Sequence, residues 1–451
     1  MDIFIIVLLV CSVLFPVYHM INSLLIMRKP PSYLSEQSAK EKGISVLIPC
    51  YNEESILKTT IESLNELNYS HAEFVFINDG STDNTFKVLE ELLELKPIRK
   101  SYSLNELEFM PIKKVYQSIK YPNMIVIDKV NGGKADALNA GITVSSNDII
   151  VTLDADSTLD NQSLSIINNA FENNSIIAAG GMVHVLQGRK KVKDELVPSL
   201  KSKFIVRLQL IEYLRGFYVY KASLAKSNAL SIISGAFGIF RKDVLLEVKG
   251  YRRTVGEDID ITMKIQKYLS RRPGSRILFI PEACCYTEVP ESWRDLYKQR
   301  IRWQKAYTDC LVIYFRDLCK TVLSKKLSFF FLIDSFFTGI ICTYVIVVSF
   351  FVLLFFINPL SLNKIFIYLI FSSICSFIYN LISLRIARKY AFKLPSKEHN
   401  KLFQTLIGDL LVLRFFNIAV VCIGTIAYFI RKEGWNKVSR TGRDYTLEQA
   451  S

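Results

Sequence analysis

The stretch IIVTLDADS, Ile149–Ser157, sets a short apolar and β-branched run directly against a pair of aspartates. A run of that length bounded by polar turn residues reads as a buried β-strand entering a loop. Asp154 and Asp156 stand two apart, so at a strand end their carboxylates share one face. Three further stretches repeat the pattern. ISVLIPCYNEE (Ile44–Glu54) runs through a proline into a polar turn, and EFVFINDGSTD (Glu73–Asp83) ends the same way. Met124–Asp128 leads to KVNGGKADALNAGI (Lys129–Ile142), a glycine turn feeding a helix. Ile56–Leu67 carries apolar residues at helical spacing. Strands alternating with helical stretches predict an α/β domain with a mostly parallel sheet. In such sheets ligands bind at the carboxyl ends of the strands, which is where the polar motifs sit. Lys96–Pro122 breaks the rhythm and reads as an insertion that covers or edges the sheet.

The chain has 451 residues, 50% of them apolar, enough for a sizeable core and membrane spans besides. Ile3–Met27 contains no Asp, Glu, Lys or Arg and matches the ~20 residues a spanning helix needs. It is too long for a signal peptide, and no basic n-region precedes it. We therefore expect a transmembrane helix over 1–27. Further spans are expected at 328–357, 365–384 and 403–430, the last carrying Asp409 and Arg414 in its first half and so able to begin as an interfacial or buried segment. Between these ends lies one block, 28–327, in which Pro198–Leu230 has the spacing of a core or surface-lying helix.

The net charge is +14. Its cations cluster near membrane ends, at Arg28–Lys29, Lys325–Lys326 and Arg385 through Lys401, which fits anionic lipid and the positive-inside rule better than nucleic acid. That rule places the 28–327 block in the cytoplasm. It leaves the basic tail, 431–451, in conflict, because four spans starting outside end outside. Cysteines show no C-x-x-C, and no histidines accompany them at zinc spacing, so metal and disulfide roles are not expected of them.

Paired hard oxygens at Asp154 and Asp156 suit Mg²⁺ or Mn²⁺ bridged to a diphosphate, although solvated turns also contain Asp-x-Asp. Asp79, in NDGS, either closes an Asx-turn or accepts hydrogen bonds from a base or ribose. Lys134 sits between a glycine pair and a helix start, where a lysine can reach a phosphate. The spacing matches neither a Walker A loop nor a Rossmann fingerprint. Glu257 and Asp258 are adjacent near a helix start, which reads as capping or as a general base with a neighbour-raised pKa. QRIRW (Gln299–Trp303) groups two cations, an amide and an indole shortly before a membrane segment. It suits a phosphate and a sugar ring, or an interfacial anchor.

In their order along the chain, PCYNEE, NDGSTD, GGKADALNAG, DADS, SGAFGIFRK (Ser234–Lys242), GEDID and QRIRW resemble the processive family-2 glycosyltransferases of the inverting GT-A fold. The likeness covers roughly Ser45–Trp303, and GKADALNAG with SGAFGIFRK is most similar to the N-acetylglucosamine polymerases. The resemblance implies a Rossmann-like GT-A domain on the cytoplasmic side of the plasma membrane, flanked by transmembrane helices. It implies an inverting hexosyltransferase that polymerises a UDP-sugar, first UDP-N-acetylglucosamine, into an extracellular polysaccharide and moves it across the membrane. UDP-glucose is the second donor, and a non-processive transferase adding one sugar to a lipid carrier is the alternative. By the same resemblance Asp79, Lys134 and Asp154 contact the nucleotide and Asp156 ligates Mg²⁺ or Mn²⁺. Asp258 becomes the base, Gln299 and Arg302 bind the diphosphate or growing end, and Trp303 stacks on the acceptor sugar. Partners are then the donor, the growing polysaccharide and membrane lipid, with room for a small accessory membrane subunit. Two departures weaken a cellulose-type assignment: Gly-Glu-Asp where that type has Thr-Glu-Asp, and Ile-Ser-Gly-Ala at Ile233–Ala236 in place of Phe-Phe-Cys-Gly.

Overall fold

A computed structural model describes residues 2–26, 33, 40–100, 106–192, 195–356, 359–390 and 392–430. The basic tail over 431–451 and the Arg28–Lys29 pair lie outside the described residues. The chain divides into two compact units. One comprises the described parts of Pro31–Leu186 and Ile232–Glu288, the other those of Met1–Pro30, Gln187–Ser231 and Val289–Ser439. The stretch read as one block over 28–327 is therefore split, and its segments 187–231 and 289–327 group with the long helices.

Among the described residues twelve strands appear in chain order: β1 (Ile44–Cys50), β2 (Ala72–Asp79), β3 (Leu95–Ile98), β4 (Ile112–Ser118), β5 (Met124–Lys129), β6 (Ile149–Leu153), β7 (Ser157–Leu159), β8 (Ile176–Val185), β9 (Arg189–Val192), β10 (Glu195–Pro198), β11 (Phe237–Arg241) and β12 (Arg276–Thr287). The first unit is built on a ten-stranded sheet of order β3-β4-β5-β2-β1-β6-β11-β8-β12-β7. Its centre, β5-β2-β1-β6, is parallel. Every residue of β6 is buried, as are all but one of β1, which is why these strands read as unbroken apolar runs.

The expectation of a mostly parallel sheet needs correction: the sheet is mixed. β11 runs antiparallel between β6 and β8, β4 runs antiparallel to β5, and the edge strands β3 and β7 are antiparallel to their neighbours. β11 lies inside SGAFGIFRK, where glycine and basic residues dilute the strand pattern. β3 and β4 fall in the Lys96–Pro122 stretch, which does edge the sheet. They are half exposed, so their apolar residues are sparse.

The second unit is helical apart from the β9–β10 hairpin. It begins with a 25-residue helix, Asp2–Ile26. Among the described residues three helices are long and apolar enough to cross a membrane: Lys326–Val352, Leu369–Tyr390 and Ser396–Ile430. Each coincides with one of the C-terminal stretches expected to span. Asp409 and Arg414 belong to the third, where Asp409 opens a π-helical stretch, Asp409–Leu413, and Arg414 follows it. Asp409 is held by Arg215 at 2.8 Å and Asn380 at 2.7 Å, and Arg414 donates to Ser372 and Ser373. Charges inside an apolar bundle persist when paired in this way.

Candidate active site

In the α/β unit, β2 and β6 flank β1, so Asp79 and Asp154 close two parallel strands on either side of it. Asp79 is buried. Its carboxylate pairs with the Lys129 ammonium at 2.6 Å and accepts from the backbone N–H groups of Gly132 (3.0 Å) and Gly133 (2.7 Å). Gly80, at φ +63°, allows that approach, because a Cβ there would stand 2.7 Å from the Asn131 nitrogen. The structure thus shows Asp79 shaping the 131–133 loop; its expected contact with a base or ribose would come in addition.

Lys129 is fully buried between Asp79 and Asp136, the second at 2.5 Å, and Arg253 pairs with Asp136 from the loop ahead of the Glu257–Leu269 helix. Four charges from four parts of the chain meet there. Taking such groups out of water is costly unless each is paired, and here each is.

The loop delivers Lys134 to the first position of the Lys134–Val144 helix. Its ammonium lies 2.6 Å from Asp154, 3.6 Å from Glu257 and 3.2 Å from the Gly235 carbonyl oxygen. A Cβ on Gly235 would stand 3.2 Å from that ammonium and 3.5 Å from Asp258 Oδ2, so Lys134 and Asp258 meet over this glycine while Asp154 and Glu257 hold the ammonium. Burial disfavours the Lys134 charge, but Asp154 and Glu257 outweigh it and hold the pKa above the ordinary lysine value. Glu257 is pushed up to about 7, chiefly by burial; Lys134 opposes the shift and Asp258 adds to it. A carboxyl that sequence reasoning treated only as a neighbour is thus a central member of the group.

Asp258 lies in the first turn of its helix, where Oδ1 accepts from the Ile259 N–H at 2.9 Å, a placement that also complements the helix dipole. The turn after β6 is pinned by Thr60, whose hydroxyl donates to the Ala155 carbonyl at 2.6 Å. Asp156 is reached by the Thr287 hydroxyl at 3.4 Å from β12.

Gln299, Arg302 and Trp303 belong to the helical unit, on a 29-residue helix, Trp293–Thr321. The Trp303 indole has a cation against it on this helix. Helical spacing of three places Arg300 against it, with the guanidinium 4.1 Å from the Trp303 ring centre. Arg300 is buried and pairs with Glu212 at 2.6 Å. Trp303 remains 40% exposed, and the Gln299 Oε1 is buried without a hydrogen-bond partner among the described residues.

The same unit has an open cavity of about 510 Å³ that the sequence did not announce. It is lined by Glu212, Arg215, Tyr220, Tyr379, Asp409 and Asn417 among others, and the Asp409 Oδ1 is buried there with no hydrogen-bond partner among the described residues. Asp409 was visible in the sequence as a charge within an apolar run; its partner Arg215 was not.

Residues 149–384 match the family model described as Glycosyl transferase family group 2, and residues 45–106 match Glycosyl transferase family 2. Poly-beta-1,6-N-acetyl-D-glucosamine synthase of Staphylococcus epidermidis is 30% identical over 308 residues, 68% of this chain and 64% of that one. The protein of the same name from Staphylococcus aureus (strain COL) is 28% identical over 307 residues, 68% and 63% respectively. The matched region is thus less than two thirds of those relatives' length. Among solved structures, mannosyltransferase PcManGT from Pyrobaculum calidifontis, in complex with GDP-Man and Mn2+, aligns with TM-score 0.51 at 15% identity, over 93% of this chain and 99% of that one. That likeness concerns the fold.

Proposed function

Because this chain belongs to glycosyl transferase family 2 and carries a GT-A-like sheet, we propose that it is a processive, inverting β-glycosyltransferase. It takes the sugar of a UDP donor, UDP-N-acetylglucosamine first and UDP-glucose second, and adds it to a growing polysaccharide. The observation that carries this reading is the convergence of Lys134, Asp154, Glu257 and Asp258 at the carboxyl edge of the parallel strands. A cation and a set of carboxylates there suit a diphosphate and a proton acceptor together.

In this mechanism Asp79 and Asp154 orient the nucleoside portion and Lys134 turns its ammonium toward the diphosphate. Asp258 takes the proton of the acceptor hydroxyl as that oxygen attacks the anomeric carbon. Glu257, 3.6 Å from the Lys134 ammonium, helps hold that charge close to Asp258. The residue type fits a divalent ion: Asp156, two residues after the Lys134-paired Asp154, would ligate it, because hard carboxylate oxygens are what Mg²⁺ and Mn²⁺ take. Such an ion, when bound, would neutralise charge on the departing UDP. Among the described residues no group of three or more acidic, histidine or cysteine side chains could hold a metal, so the chain itself would supply few of the ion's ligands.

We place helix 1–27 and the segments 328–357, 365–384 and 403–430 across the plasma membrane, with the α/β unit in the cytoplasm and product leaving through the bundle. The cavity at Asp409 supports translocation, since an unpaired carboxylate oxygen beside Arg215 suits a hydroxyl-rich chain. The direct test is incubation of the purified chain with labelled UDP-sugars. High-mass polymer from UDP-N-acetylglucosamine is expected; a single-sugar glycolipid would replace this reading with the lipid-carrier alternative.

Trp303 supplies a second test. Its exposed indole is braced from below by Arg300, which gives a flat apolar face for a sugar ring. Trp303→Ala is expected to lower polymer formation about tenfold relative to UDP release by water, because a stacked base or ring is worth ~1–3 kcal/mol. Both are measured on one detergent-purified sample. An unchanged ratio makes Trp303 a membrane anchor.

A further inference from the structure

Two basic elements of the helical unit that are nearly 200 residues apart in sequence are bolted together. The first is the segment 385–401, which joins the last two apolar helices and carries Arg385, Arg388, Lys389, Lys393, Lys397 and Lys401 against a single acid, Glu398. That acid is buried and already engaged: it accepts from the Ser199 hydroxyl at 3.2 Å and from the Leu200 N–H. The second element is the β9–β10 hairpin, which leads into Ser199 and Leu200. Its Arg189 lies 5.4 Å over the Phe392 ring and donates to the Leu196 carbonyl at 2.9 Å. The bond from Glu398 and the stack on Phe392 therefore fix hairpin and connecting segment to each other.

The result is one body from which Lys190, Lys191, Lys201, Arg388, Lys393 and Lys397 all project as exposed side chains. Exposed apolar residues accompany them, Val192 on the hairpin and Phe403 at the start of the last helix. Cations around a few apolar residues at the end of spanning helices suit a phosphate-bearing, lipid-backed surface.

We propose that this face docks on the anionic headgroups of the leaflet in which the Leu369–Tyr390 and Ser396–Ile430 helices end, an inference that rests on the membrane-spanning reading above. The segment 385–401 joins the ends of those two helices, and charge on it acts on a lipid surface over a Debye length of about 10 Å. Each cation near such a surface changes partition about fivefold.

The test uses the full chain in mixed micelles of phosphatidylcholine and phosphatidylglycerol, with retained lipid counted after purification. Wild type should retain phosphatidylglycerol in excess, and added salt should reduce the excess. The variant Lys190→Gln/Lys191→Gln/Lys393→Gln/Lys397→Gln should lose at least about tenfold of it, and arginine at the same four positions should restore it. Equal enrichment in wild type and the glutamine variant would overturn the proposal. So would retention displaced by soluble polyglutamate but not by added phosphatidylglycerol, which would assign the face to an acidic protein. Polymer synthesis is followed on the same samples. Unchanged synthesis with no lipid preference refutes the docking alone, whereas its absence in wild type refutes the enzymatic reading.

Discussion

Asp258→Asn is expected to lower sugar transfer by ~10²–10⁴-fold while UDP affinity stays near that of wild type. Asparagine keeps the size of the side chain and an oxygen that can accept from the Ile259 N–H, so the start of the Glu257–Leu269 helix survives. It cannot take a proton. The Lys134–Asp154 pair, which the mechanism assigns to the nucleotide, is not touched by the change. Initial rates with labelled donor, set beside UDP binding by calorimetry, read the two quantities separately. A variant with wild-type turnover, or one that loses UDP binding in step with activity, would return Asp258 to a helix-start residue worth about 1 kcal/mol of stability.

An effect as large is expected at Asp156. Asp156→Asn should abolish measurable transfer, and excess EDTA should do the same to wild type, with activity restored by added Mn²⁺ or Mg²⁺. Asparagine retains a partner for the Thr287 hydroxyl, so the turn between β6 and β7 keeps its shape and the loss falls on ligation. A neutral amide oxygen is a far poorer ligand for a hard dication than a carboxylate. Full activity in chelator would remove the ion from the mechanism and leave Lys134 as the cation facing the diphosphate. Thermal unfolding of the variant without metal separates loss of ligation from loss of fold.

How much of this was legible beforehand depends on whether the signal was local. β1, β2, β5 and β6 were readable because strands buried on both faces leave continuous apolar runs, each ended by a polar motif. β4 was not: as an antiparallel strand near the sheet edge it mixes exposed lysines with buried Val115 and Ser118. Lys134, Asp154 and Asp258 were named from motifs, and the structure brings those three together. Glu257 was misjudged because its character comes from burial, and adjacency in sequence carries no information about that. The identity of the residue under Trp303 turned on helical phase, since i+3 falls on Arg300 and the adjacent Arg302 points elsewhere on the helix. Lys129, Asp136 and Arg253 left no trace at all, because an ion-pair network is defined by tertiary neighbours.

That network bears on how the α/β unit assembles. Lys129 ends β5, Asp79 ends β2, Asp136 sits in the helix after β5, and Arg253 arrives from more than a hundred residues later. A half-built sheet that had docked the first three would hold an excess of buried negative charge until Arg253 reached Asp136, and such a state is penalised by several kcal/mol. Intermediates lacking the C-terminal part of the unit are thereby disfavoured. The β11–β12 half and the β1–β6 half are pressed to form together, so the ion pairs behind the 131–133 loop also favour all-or-none folding across a discontinuous chain.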